Sequence, residues 1–159
     1  MSRFIFEIFL YERSNNVNDF SKYVGIPFAF NESSFEAADC AGLASLFYRE
    51  HNWPDNYPKP KHKDWYITDQ LYMQRWLVKN FDMSRDIEDI EFGDLLYFMI
   101  NGEGHIGVAL EYGKFLATYP KINDFNGGVS FIDRYKYWFN MRGVEFKAVF
   151  KRRRKEATE

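Results

Sequence analysis

The chain has 159 residues, 46% of them hydrophobic and 20% aromatic, with a formal net charge of −2. That length suits a single domain over residues 1–159 with one core, and the aromatic share argues against disorder. The near-neutral balance gives no global pull toward nucleic acid. The single cysteine excludes an internal disulfide, and three dispersed histidines with one cysteine lack the spacing of a structural zinc site.

Residues 1–11 (MSRFIFEIFLY) begin like a leader, but Glu7 interrupts the apolar run and no small-residue cleavage site follows. The run is too short to span a bilayer. It reads as a strand or short helix of a protein made in the cytoplasm without a signal peptide and without membrane insertion. Asn16 to Val24 predicts a short helix, capped by Asn16 or Asn18 and ended by Gly25-Ile26-Pro27. A polar loop over 31–35 leads into a helix from Ala38 to about His51, because Cys40, Leu43, Ala44 and Phe47 recur at helical spacing. Residues 53–66 hold Pro54, Pro58 and Pro60 among Trp53, Tyr57, Trp65 and Tyr66. That composition predicts an aromatic loop, either pinned to the surface by its rings or forming a cleft wall.

Thr68 can cap a helix from Asp69 to about Phe81. The period then changes. Strands are expected over Asp94–Ile100, His105–Glu111 and Lys114–Tyr119, with turns at 101–104 and at Tyr112-Gly113. A loop over 123–128 precedes a short helix over Ile132–Phe139, and Val144–Arg152 reads as a last strand. The basic run Lys151-Arg152-Arg153-Arg154-Lys155 reads as the solvated start of a flexible end, 151–159.

Helices first and a meander afterwards predict an α+β domain, with the cysteine helix packed on an antiparallel sheet. Cys40 falls where loop turns to helix. A helix N-terminus carries partial positive charge and lowers a thiol's pKa. One cysteine followed by one well-placed histidine, His105, is the minimum set for a cysteine hydrolase. The plainer alternatives are a buried core cysteine and a satisfied strand histidine. Gly107 and Ala109 share the strand face of His105 and are small enough for a helix to approach. No cofactor is implied.

Four segments in order resemble the NlpC-type cysteine peptidases of papain-like fold: Tyr23-Val24-Gly25-Ile26-Pro27-Phe28, Asp39-Cys40-Ala41-Gly42-Leu43, Gly93-Asp94-Leu95-Leu96-Tyr97-Phe98, and His105-Ile106-Gly107-Val108 with Gly113-Lys114-Phe115-Leu116. Phe47-Tyr48-Arg49-Glu50, Tyr137 to Arg142 and Phe146 to Arg152 resemble the phage-encoded branch. The resemblance spans roughly residues 17–152. It implies a cell-wall endopeptidase or amidase acting on peptidoglycan stem peptide, tail-associated in a virion, with other tail proteins as partners. It implies Cys40 as nucleophile and His105 as base, with Asp39, Ala41 and Phe28 lining the oxyanion site and cleft.

Two positions depart from the family. Its cleft tyrosine, twelve residues before the cysteine, is Phe28 here. Its third catalytic residue, twelve after the histidine, is Ala117, which cannot hydrogen-bond an imidazole. If the turn is Tyr112-Gly113 alone, Thr118 shares the face of His105 and can substitute; if it is Glu111-Tyr112-Gly113, Ala117 lies opposite Gly107. Asn123 and Asn126 are further candidates. Two readings stand: a Cys–His dyad peptidase, and a catalytically decayed domain serving as a structural or binding module of a phage tail.

Overall fold

A computed structural model describes residues 19–55, 63–69, 71–121 and 127–153. Four helices, α1 (Cys40–Glu50), α2 (Trp65–Thr68), α3 (Tyr72–Asn80) and α4 (Tyr135–Phe139), accompany six strands. The strands are β1 (Asp82–Ser84), β2 (Leu95–Ile100), β3 (Glu103–Ala109), β4 (Lys114–Ala117), β5 (Phe131–Arg134) and β6 (Val144–Lys151). They form one antiparallel sheet in the order β1-β6-β2-β3-β4-β5. The expectations for residues 1–18, Asn123, Asn126, Arg154 and Lys155 fall outside the described residues.

The sheet is covered on both faces, which is why β2 reads as the continuous apolar run Leu-Leu-Tyr-Phe-Met-Ile rather than as an alternation. On one face Leu43 and Phe47 of α1 and Leu77 of α3 pack with Leu95, Ile106, Val108 and Leu116. On the other, Leu96, Phe98, Phe115 and Val149 pack with Trp138 of α4. Phe47 is fully buried amid the rings of Phe20, Tyr23, Trp53 and Phe92. Burying such a side chain contributes about 1.5–3 kcal/mol.

Three elements differ from expectation. Ile132–Arg134, expected as helix, is strand together with Phe131, because the segment pairs in register with β4; only Tyr135–Phe139 coils. Thr68 closes α2 rather than capping α3, its hydroxyl donating to Asp64 O, and α3 starts at Tyr72 without a side-chain cap. The described part of the basic run, Lys151 to Arg153, is built into the fold. Lys151 bonds the buried Asp94 at 2.6 Å, and Arg153 ties Asp82 of β1 and the carbonyls of Lys79 and Phe81 to β6.

Candidate functional site

The start of α1 is held by a strap over residues 25–38. Gly25 N–H donates to Ser130 O, Ile26 N–H to Ser130 Oγ, and Phe28 N–H to Gly128 O, fixing the strap to the segment before β5. Ala38 N–H donates back to Pro27 O, which delivers Asp39 to the helix mouth. Asp39 is the N-cap: Oδ1 accepts from Gly42 N–H at 2.6 Å, and Oδ2 accepts from Asn31 N–H at 2.8 Å. Gly42 is required where it stands, because a Cβ there would lie 1.9 Å from Glu32 O.

Asn31 was not singled out from the sequence, yet it joins the parts of the site. It has φ 66°, a conformation that asparagine tolerates. Its side chain accepts from Trp65 Nε1 at 2.6 Å and donates to Lys63 O at 2.8 Å, so α2 hangs on the loop that caps α1. An asparagine in a polar loop just before an Asp-Cys helix start is the only sequence signal it gave. Tyr66 of α2 stacks on Phe30 at 3.8 Å, and Phe28 meets Phe30 edge-on. Phe28 thus belongs to an aromatic wall beside the helix mouth, with Trp65 and Tyr66 from the far end of the aromatic loop. Residues 56–62 of that loop lie outside the described residues.

Cys40 is the first residue of α1, as expected. Its sulfur lies 3.8 Å from Met73 Sδ of α3, and backbone N–H groups of Ile106, Ala41 and Cys40 itself point to it. The residue is half-buried, but its sulfur is surrounded by protein. Burial first, and the neighbouring Asp39 carboxylate second, push the thiol up to about 12. The helix N-terminus was expected to lower this pKa. The backbone donors do act in that direction, but desolvation of a thiolate outweighs them.

His105 stands on β3, next in sequence to the Ile106 amide that reaches the thiol. Its ring, however, turns the other way. Ile106 and Val108 pack with α1, while alternation sends His105, Gly107 and Ala109 to the opposite face. The imidazole lies against the rings of Phe98 and Tyr119, each 6.0 Å away. It is 5% exposed, its Nε2 has no hydrogen-bond partner, and burial pushes it down to about 4. Gly107 and Ala109 therefore do not admit the cysteine helix; a Cβ on Gly107 would meet Phe115 and Ala117 instead. Among the described residues no hydrogen bond joins the thiol and the imidazole.

Gly107 pairs with Ala117, which decides the turn: Leu110 N–H donates to Lys114 O across Glu111-Tyr112-Gly113. Thr118 consequently projects from the face opposite His105 and is not its partner. It is buried, and its own hydroxyl has no partner. Extending the register sets Tyr119 opposite His105, which accounts for their ring contact. Among the described residues no cluster of three or more His, Cys, Asp or Glu is placed to hold a metal, and no helix is long and apolar enough to cross a membrane.

No known sequence family matches the chain, and no curated protein is similar to it in sequence. Solved structures do match. The NlpC/p60 domain of the peptidoglycan hydrolase SagA superposes with a TM-score of 0.53 at 15% identity, over 82% of this chain and 91% of that one. The fold is that of the NlpC/p60 domain. NlpC1 from Trichomonas vaginalis matches with a TM-score of 0.53 at 16% identity, over 83% of this chain and 40% of its own. An NlpC/p60 family protein from Bacillus cereus gives 0.51 at 19% identity, over 82% and 36%. This chain thus spans less than half the length of those two proteins. At such identities the likeness carries the papain-like α+β architecture and not the chemistry, which rests on the side chains.

Proposed function

We propose that this chain is a cell-wall-directed NlpC-type module that engages peptidoglycan stem peptide without turning it over. The observation that carries the reading is the buried neutral imidazole of His105, packed on Phe98 and Tyr119 with Nε2 unpartnered and no hydrogen bond to Cys40. A cysteine hydrolase needs a thiolate and an adjacent base. Here burial favours the neutral form of both groups. The aromatic wall of Phe28, Phe30 and Tyr66 supplies contact surface at the helix mouth. The resemblance of the 137–142 and 146–152 segments to the phage-encoded branch motivates placing the module on a tail, with other tail proteins as partners.

The test is incubation with purified peptidoglycan, followed by mass analysis of soluble fragments and co-sedimentation with the insoluble wall. Binding without release is expected, unchanged in Cys40→Ala. Fragment release that disappears in Cys40→Ala would refute it.

One observation favours a second reading, the dyad peptidase. Cys40 opens α1, and the Ile106, Ala41 and Cys40 amides act on its sulfur in the direction that favours a thiolate. His105 would then have to change rotamer and face to act as base. In that case released fragments would carry a new carboxyl end within the stem peptide.

A further inference from the structure

Away from the Cys40 mouth, a cavity of about 170 Å³ lies between α1, α3 and the end of β6. Tyr48, Trp76 and Phe81 give it apolar walls, and Ser45, Asn80 and Arg152 give it polar atoms. Three consecutive cations reach this corner, and two are spent. Lys151 is bonded to Asp94 and Glu91. Arg153 is bonded to Asp82 and to the carbonyls of Lys79 and Phe81.

Arg152 differs. Its backbone N–H donates to Asp94 Oδ1, and its guanidinium lies 3.9 Å over the Trp53 ring, so the side chain is held in place. Its Nε is closed off beside Gly93 and Trp53, and among the described residues no carboxylate pairs with the guanidinium. A guanidinium fixed on a cavity wall with no paired carboxylate is the kind of group a ligand carboxylate would pair with. Asp55 also lines the cavity, but its carboxylate accepts from Ser45 Oγ at 2.5 Å and pairs with Arg49 at 3.1 Å, so its repulsion of an anion is offset.

We propose that this cavity is a binding site for a small organic carboxylate with a flat apolar body, its carboxylate held by Arg152 and its body between Tyr48, Trp76 and Phe81. The volume fits one ring: a dry cavity of about 150 Å³ holds a benzene-sized guest. Inorganic phosphate would satisfy Arg152 but leave the aromatic walls unused. The inference is independent of what happens at Cys40.

The experiment titrates the full chain with phenylacetate, phenylacetamide and inorganic phosphate. It follows the Arg152 Nε–H and Trp76 indole N–H signals by NMR. Phenylacetate should move both signals. Phenylacetamide, with the same body and no charge, should bind at least about tenfold more weakly, the worth of a charge-assisted hydrogen bond. Phosphate should leave the Trp76 signal in place. Arg152→Gln should weaken phenylacetate about tenfold or more while the remaining spectrum persists. Should that variant lose its fold, Asn80→Asp, which sets a carboxylate on the cavity wall, should weaken phenylacetate by a similar factor. Equal binding of acid and amide, an equal response of Trp76 to phosphate, or no movement of either signal up to about 10 mM phenylacetate would each overturn the proposal.

Discussion

Acidification should destabilise the fold through His105. The ring is buried, and its pKa is pushed down from the ordinary 6.5 to about 4. The unfolded chain takes up this proton near pH 6.5, whereas the folded chain resists it until about pH 4. The stability held in the neutral ring is therefore complete above pH 6.5 and is lost as pH falls through that interval. One proton at 1.36 kcal/mol per pH unit, over about 2.5 pH units, gives about 3 kcal/mol. That is a large part of the 5–15 kcal/mol typical of a domain. Urea midpoints between pH 4.5 and 7.5, wild type beside His105→Leu, isolate the effect, because ionised carboxylates contribute equally to both. The leucine variant should lose the extra slope below pH 6.5. It should match or exceed the wild type in stability near pH 7, because it deletes the orphaned Nε2. NMR of the His105 ring reads the pKa directly. An imidazole titrating at or above 6.5 would refute the reasoning, since a thiolate partner would raise it. That outcome would also favour the dyad peptidase.

Cys40 should react slowly with iodoacetamide. At pH 8 a thiol raised to about 12 is only about 10⁻⁴ ionised, so alkylation should run roughly a thousandfold below that of a free thiol; an apparent pKa under 8.5 would contradict this. Gly42→Ala should lower the unfolding free energy by about 3 kcal/mol or prevent folding, because the new Cβ meets a backbone oxygen that cannot step aside; a shift under about 1 kcal/mol in a urea titration would show that the strap yields. Ala117→His should not create a hydrolase. Position 117 is fully buried on the crowded face of Phe115 and Gly107, so the variant should lose about 1–3 kcal/mol and release no wall fragments; Cys40-dependent release would show that the family's third residue can be restored.

The sequence announced the elements that carry strong periodicity. Cys40 to Glu50 and the β2–β3–β4 meander came out within a few residues, because Leu43, Ala44 and Phe47, and then the alternating strands, encode the faces they bury. The facing of His105 did not come out. It depends on which sheet face α1 chooses, and alternation alone fixes only which residues go together. The register against β4 needed the turn at 111–113, which two sequence-compatible lengths left open. The thiol's elevated pKa was invisible for a similar reason: desolvation comes from Met73 and the sheet, far along the chain, whereas the helix N-terminus is a local signal. Ile132–Arg134 differs from expectation because so short a strand, bounded by a helix, carries too little pattern to outvote its aromatic neighbours.

The position of β6 bears on how the protein comes into being. Among the described strands it is synthesised last, yet it lies between β1 and β2 and pairs with both. Until it arrives, the facing edges of β1 and β2 have no partner, and Asp94 lacks Lys151. The growing chain can form α1 and the β2–β3–β4 meander on the ribosome, but it cannot complete the sheet. Such open edges are sticky and rely on late, long-range pairing. A translational stall before residue 144 should therefore yield chains that associate through β2, whereas a stall after 153 should yield chains with β6 in place between β1 and β2.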